Sequence, residues 1–193
     1  LCGAIYDSAY EEPFLCLKCR DKKKPWDRFG FYQQYSGLLR KLILSFKFQG
    51  CLGYASVLQD LVCQAYTAHL SACAPEVIVP VPLGSKRLRQ RGFNQCLELV
   101  RVLSHMLAVP INIQALERIR ETRPQSELGF RERQFNLNKA MLAHEDHLRG
   151  KRVLLVDDIY TTGSTVISCT HALKKAGALK VDVLVLARSA HYV

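Results

Sequence analysis

The sequence predicts an α/β protein, a mostly parallel sheet flanked by helices, with a small cysteine-bearing segment in front of it. Three observations carry that prediction. Short runs rich in valine, leucine and isoleucine at residues 77–81, 153–156 and 181–186 read as strands buried on both faces, as strands of parallel sheets are. Stretches of helical periodicity alternate with those runs, the pattern of repeated βαβ units. Residues 1–27, by contrast, show no periodic apolar face and hold Cys2, Cys16 and Cys19. The 193-residue chain therefore divides into a truncated zinc-knuckle segment at 1–27 and an α/β domain at 28–193, a size that suits one domain with an appendage.

The front segment is zinc-ribbon-like. Cys16-Leu17-Lys18-Cys19 is a C-x-x-C knuckle, and Cys2-Gly3 matches the second half of another. Two such pairs close around one tetrahedral Zn²⁺, so a structural ion held by Cys2, Cys16 and Cys19 needs a fourth ligand, expected upstream. The alternative is a set of free thiols. Metal would decide the matter, because structural zinc supplies roughly 10–16 kcal/mol in small fingers. Lys22-Lys23-Lys24-Pro25 then forms a basic linker.

Residues 36–48 carry Leu38, Leu39, Leu42, Ile43 and Phe46 at helical spacing, with Arg40, Lys41 and Lys47 off that face. A second helix is expected at 54–73 on the stripe Val57, Leu58, Leu61, Val62 and Ala65, ended by Pro75. The strand at 77–81 should stop pairing early at Pro80. A helix at 92–107 and a strand at 111–116 follow. The last unit is strand 153–156, a helix at 166–176 closed by Gly177, and strand 181–186. Trp26, Tyr32, Tyr35 and Tyr54 read as packing residues, with stacking on bases as the alternative, the six histidines as surface residues, and Cys51, Cys63, Cys73, Cys96 and Cys169 as buried, reduced residues of a cytoplasmic protein.

Composition narrows the class. Apolar content of 49% with 23% charged residues describes a globular chain rather than a disordered or fibrous one. No run approaches the roughly eighteen apolar residues that mark a membrane span. The net charge of +10 favours polyanionic partners, either a phosphorylated ligand or nucleic acid.

The run Val153-Leu154-Leu155-Val156-Asp157-Asp158-Ile159-Tyr160-Thr161-Thr162-Gly163-Ser164-Thr165 turns a buried strand into a phosphate cradle. Asp157 and Asp158 are expected at the strand's carboxyl end, where open α/β sheets hold their ligands. Thr161 to Thr165 supply hydroxyls and one glycine for a tight turn, and the helix that follows aims its N–H groups at the same spot. Carboxylates for hydroxyls beside a nest for phosphate describe a ribose-5-phosphate site.

That run resembles the signature of the type I phosphoribosyltransferases, whose ligand is 5-phosphoribosyl-1-pyrophosphate (PRPP). The resemblance implies a phosphoribosyltransferase-like fold, with Asp157 and Asp158 on the ribose hydroxyls. It implies the 5′-phosphate in the loop Thr161, Thr162, Gly163, Ser164 and Thr165, and Mg²⁺ accompanying PRPP. Tyr160 stands where an aliphatic residue is more usual. After strand 77–81, Gly84-Ser85-Lys86-Arg87 reads as a second anion-binding turn, which the resemblance makes the pyrophosphate loop. Val81-Pro82-Leu83, Arg87-Leu88-Arg89, Arg91-Gly92-Phe93-Asn94-Gln95, Arg123-Pro124-Gln125, Phe46-Lys47-Phe48 and the Cys16/Cys19 pair are similar to the ComF family of competence-associated proteins. This resemblance covers nearly the whole chain, and the incomplete cysteine cluster is its departure.

Arg118, Arg120 and Arg123, together with Arg89 and Arg91, are candidate contacts to DNA or to a ligand under a closing lid; the alternative is a solvated loop balanced by Glu121, Glu127 and Glu132. Three functions stay open. The family resemblance favours a cytoplasmic accessory of natural transformation that handles single-stranded DNA, works beside other competence proteins and binds PRPP. The others are an active transferase with an unknown acceptor and a PRPP-sensing regulator. No residue stands out as an obligatory base.

Overall fold

The computed structural model describes residues 24–48, 52–119 and 140–189. In chain order the elements are β1 (Phe29–Gln34), α1 (Gly37–Phe48), α2 (Ala55–Leu70), β2 (Val77–Pro80), α3 (Ser85–Arg91), α4 (Gln95–Leu107), β3 (Leu116–Arg118), β4 (Met141–Ala143), β5 (Arg152–Tyr160), α5 (Ser164–Lys175) and β6 (Lys180–Arg188). The main sheet has the order β1-β6-β5-β2, with every pairing parallel. β3 and β4 pair antiparallel as a separate two-stranded sheet.

Side-chain alternation splits the core into two layers. Val153 and Leu155 of β5 join Val166, Cys169 and Leu173 of α5, with β3 and β4 over the same face. Leu154 and Val156 point the other way, into Leu39, Ile43 and Phe46 of α1, Leu58 and Val62 of α2, and Leu99 and Leu103 of α4. Both faces are covered, which is why these strands read as unbroken apolar runs. Truncating Leu154, fully buried, to alanine should cost roughly 2–5 kcal/mol.

Several expectations need correction. β5 does not stop at Val156 but continues to Tyr160, so Asp157 and Asp158 lie within the strand; Asp157, Ile159 and Tyr160 still pair with β6. The helix expected at 92–107 is two helices. Gly92, at φ +78°, ends α3, and the Asn94 side chain accepts the Cys96 N–H to start α4. The strand expected at 111–116 reduces to one bridge, Ile78 to Ile111. Asn112 Oδ1 accepts the N–H groups of Gln114 and Ala115, both at 2.9 Å, and this side-chain turn breaks the ladder. β1 and β4 had no counterpart in the sequence reading. β1 is an edge strand with a half-exposed pattern, pairing only with β6.

Trp26 and Asp27 belong to this body: Trp26 is buried against Phe29 and Tyr160, and Asp27 exchanges hydrogen bonds with the backbone of Val181. Tyr32 and Tyr35 also pack on the core, whereas Tyr54 is exposed. Cys96 and Cys169 are buried as expected. Cys63 and Cys73, at the margin of the α2 layer, are only half-buried. Cys2, Cys16, Cys19, Cys51, Arg120 and Arg123 lie outside the described residues. No helix among the described residues is long and apolar enough to cross a membrane.

Candidate functional site

The carboxyl end of β5 concentrates the polar groups that the core otherwise excludes. Asp157 and Asp158 are both buried. Asp157 Oδ1 accepts the Cys96 thiol at 3.4 Å and the Asp158 backbone N–H at 2.9 Å. Burial, with the neighbouring Asp158 charge adding to it, pushes the Asp157 carboxyl up to about 7. Burial and the same two acids raise the Cys96 thiol well above its usual range, so Cys96 is a hydrogen-bond donor here and not a thiolate. Asp158 Oδ2 lies 2.7 Å from Lys47 Nζ, in the last turn of α1. That oxygen is buried and has an ionic neighbour but no aligned hydrogen bond, so it keeps a lone pair for an incoming hydroxyl.

Five residues beyond Asp158, the chain turns sharply. Gly163, at φ +79°, precedes α5. A Cβ there would meet the Tyr160 hydroxyl oxygen at 2.4 Å and two ring carbons at 2.6 and 2.7 Å, so glycine is required twice over, by backbone conformation and by space. Tyr160 itself turns into the core, edge-on to Trp26 and Phe29; the residue that departs from the usual aliphatic has become the wall that shapes the turn. Thr162 and Ser164 hydroxyls lie 2.8 Å apart. The N-cap Gly163 offers no side chain, and the Ser164 N–H turns instead to Thr162 Oγ1 at 3.4 Å, which leaves the next N–H groups of the first turn to an anion.

β2 ends beside β5. The Val81 N–H still bonds the Val156 carbonyl at 2.9 Å, and Gly84 then starts α3. The Gly84-Ser85-Lys86-Arg87 turn is thus the first turn of a short helix, with Ser85, Lys86, Arg87 and Arg89 exposed. Arg91 is half-buried: it donates to Gln95 Oε1 at 2.9 Å and lies 4.9 Å over the Phe48 ring. Lys47, Phe48, Arg87, Gln90 and Arg91 line a cavity of about 370 Å³. Since Lys47 also holds Asp158, that cavity opens next to the acid pair.

The fold therefore brings Asp157, Asp158 and the Thr161–Thr165 turn to one sheet edge, with Gly84 to Arg87 at the end of the adjoining strand. Arg118 lies elsewhere, in β3 on the α5 side, with a buried Nε that has no hydrogen-bond partner. Two members of the site escaped the sequence reading. Helical spacing puts Lys47 on the face of α1 away from the core, and Cys96 reads only as core. The signal for Lys47 was a lone lysine between Phe46 and Phe48.

A family model for the phosphoribosyl transferase domain matches residues 94–193. DNA utilization protein YhgH of Salmonella typhi is 34% identical over 177 residues, spanning 90% of this chain and 78% of that protein. Competence protein F of Haemophilus influenzae is 33% identical over 180 residues, with the same 90% and 78% coverage. The chain belongs to the ComF family. Competence protein ComFC of Bacillus subtilis is a more distant ComF relative, 28% identical over 163 residues, 80% of this chain and 62% of that protein. The fold is accordingly of the type I phosphoribosyltransferase kind, a parallel sheet flanked by helices.

Proposed function

We propose that this chain is a PRPP-binding protein of DNA uptake that handles incoming single-stranded DNA in the cytoplasm. The observation that carries the reading is the buried Asp157–Asp158 pair running into the Gly163 turn and the first turn of α5. Asp157 and Asp158 accept the ribose 2′- and 3′-hydroxyls. Thr161, Thr162, Ser164 and Thr165, with Gly163 setting the turn, surround the 5′-phosphate, and the N–H groups of the first turn of α5 face it. Gly84, Ser85, Lys86 and Arg87 take the pyrophosphate.

Cys96, Asp157 and Asp158 form a cluster of candidate metal ligands among the described residues. Two of its members are carboxylates and the third is a thiol held protonated, whereas Mg²⁺ asks for oxygen ligands in octahedral order. Mg²⁺ therefore fits here as a companion of PRPP, held chiefly by the ligand's oxygens, where it neutralises pyrophosphate charge. Structural Zn²⁺ belongs to Cys2, Cys16, Cys19 and a fourth ligand. Should ribosyl transfer occur, the residues named act by positioning the ribose and stabilising the departing polyanion.

The DNA component is supported by the names of the relatives and by the +10 charge, with Arg89, Arg91, Arg118, Arg120 and Arg123 as phosphate contacts and other competence proteins as partners. Calorimetry with PRPP and Mg²⁺ tests the ligand: wild type should bind, and Asp157→Ala/Asp158→Ala should not. A wild-type protein that fails to bind PRPP would sink the proposal. A salt-dependent shift of single-stranded DNA, and transformation frequency in cells carrying the double variant, test the role in uptake.

A further inference from the structure

The cavity beside Asp158 offers more than a polyanion needs. It encloses about 370 Å³, within the roughly 300–1,000 Å³ of ordinary ligand sites. Its cations are Lys47, Arg87 and Arg91, and no carboxylate among the described residues forms an ion pair with Arg87 or Arg91. Burial disfavours the charge on Arg91, the Asp158 carboxylate offsets part of that, and Arg87 stands close enough to oppose it again, so an anion between the two guanidinium groups is favoured. Phosphate alone, however, has no use for Phe48. That ring closes α1 and is 69% exposed, with Arg91 over one face. Gln90 adds an amide that both donates and accepts. The bond from Arg91 to Gln95 holds the stacked guanidinium in place, so little freedom remains to be lost on binding.

An aromatic face, forked donors and an amide at one small concavity are what a base with its phosphate requires. From this geometry we infer that the cavity is a subsite for one nucleotide unit, with the base on the Phe48–Arg91 platform and the phosphate at Arg87 and Arg91. The unit is either a free nucleoside monophosphate or one residue of a single strand. Lys47 lies at the boundary of both sites. Arg87 is also assigned to the pyrophosphate of PRPP, so the two ligands compete for that guanidinium, and reciprocally. This competition rests on the PRPP reading given above; occupancy of the cavity does not.

The test is equilibrium binding to the full chain of thymidine 5′-monophosphate, a short oligothymidylate and inorganic pyrophosphate, each with and without PRPP and Mg²⁺. Phe48→Ala should weaken the nucleotide probes about tenfold or more while leaving PRPP binding and circular dichroism as in wild type, because the ring is largely solvent-facing. Arg91→Gln should weaken the same probes, with Gln95 left in place. Binding of the monophosphate identifies a free nucleotide; binding of the oligomer alone identifies a strand, and both support the subsite. Two results overturn it: neither nucleotide probe binds, or Phe48→Ala binds them unchanged. Loss of PRPP binding in wild type with Phe48-dependent nucleotide binding intact would remove the PRPP reading and the competition, and keep the subsite.

Discussion

β5 and β2 lie side by side, end at the same edge of the sheet, and each leads through a glycine into a helix, yet the two ends are built to different standards. At the β5 end the acids are buried, the glycine is held against an aromatic wall, and the helix runs twelve residues. At the β2 end the helix has seven residues, none buried, and its basic side chains other than the half-buried Arg91 face solvent. On the proposed reading the carboxylates meet two particular hydroxyls and need fixed direction, which close packing supplies. Phosphate can be attracted by charge over a longer range, so exposed lysine and arginine suffice. Geometry governs one end and charge the other.

Substitutions at the two ends should separate those standards. Lys47→Met leaves Asp158 buried beside Asp157 without its nearest cation and should cost about 3–5 kcal/mol in urea unfolding. The exposed Arg101–Glu98 pair on α4 is the control: Arg101→Ala should change stability by less than about 1 kcal/mol. Equal effects would mean that the Lys47 contact is idle.

Glycines give the next contrast. Gly92 on the β2 side and Gly163 on the β5 side both have left-handed φ, but Gly92 has open space around its Cβ position and Gly163 has the Tyr160 ring. Gly92→Ala should cost the conformational strain alone, about 1–2 kcal/mol. Gly163→Ala adds a clash and should be clearly the more destabilising in a thermal melt; a smaller loss than at Gly92 would show that Tyr160 yields freely.

A smaller effect follows pH. Asp157 titrates near 7 in the folded protein against roughly 3.9 in an unfolded chain. The native state thus binds the extra proton between those values, and its stabilising contribution is complete below about pH 4 and lost as pH rises through 7. Asp157→Asn should flatten that part of the stability profile. PRPP affinity in wild type should move the opposite way, rising over the same interval as the carboxylate ionises. Smallest of all is Arg89→Ala: stability should stay within about 0.5 kcal/mol, while the salt slope of single-stranded DNA binding falls by about one contact.

The same contrast explains what was legible in the sequence. Asp157 through Thr165 are contiguous, so strand, acids, turn and helix could be read as one local unit. Lys47 and Cys96 reach that unit from distant elements, and nothing near them in sequence announces a carboxylate partner. Two acids also argue against a strand by propensity, and β5 runs through them because its backbone is paired on the β6 side. β1 was hidden by Gln33 and Gln34, polar residues that an edge strand tolerates and a central strand does not. The division between α3 and α4 was readable after all: Gly92 as a helix end and Asn94 as the next cap are ordinary signals, obscured by the apolar stripe that follows.

The position of β6 sets the timetable of assembly. It is the last described strand to leave the ribosome, yet it sits between β1 and β5, joining Phe29 to Val183 on one side and Arg152 to Lys180 on the other. Synthesis at about 5–20 residues per second therefore leaves β1 without a partner, and β5 with one bare edge, until the residues from Lys180 onward have emerged. Bare edges invite pairing with other chains. Newly made copies are most open to such pairing during that interval, and a chain interrupted before Lys180 loses the middle of its sheet rather than its margin.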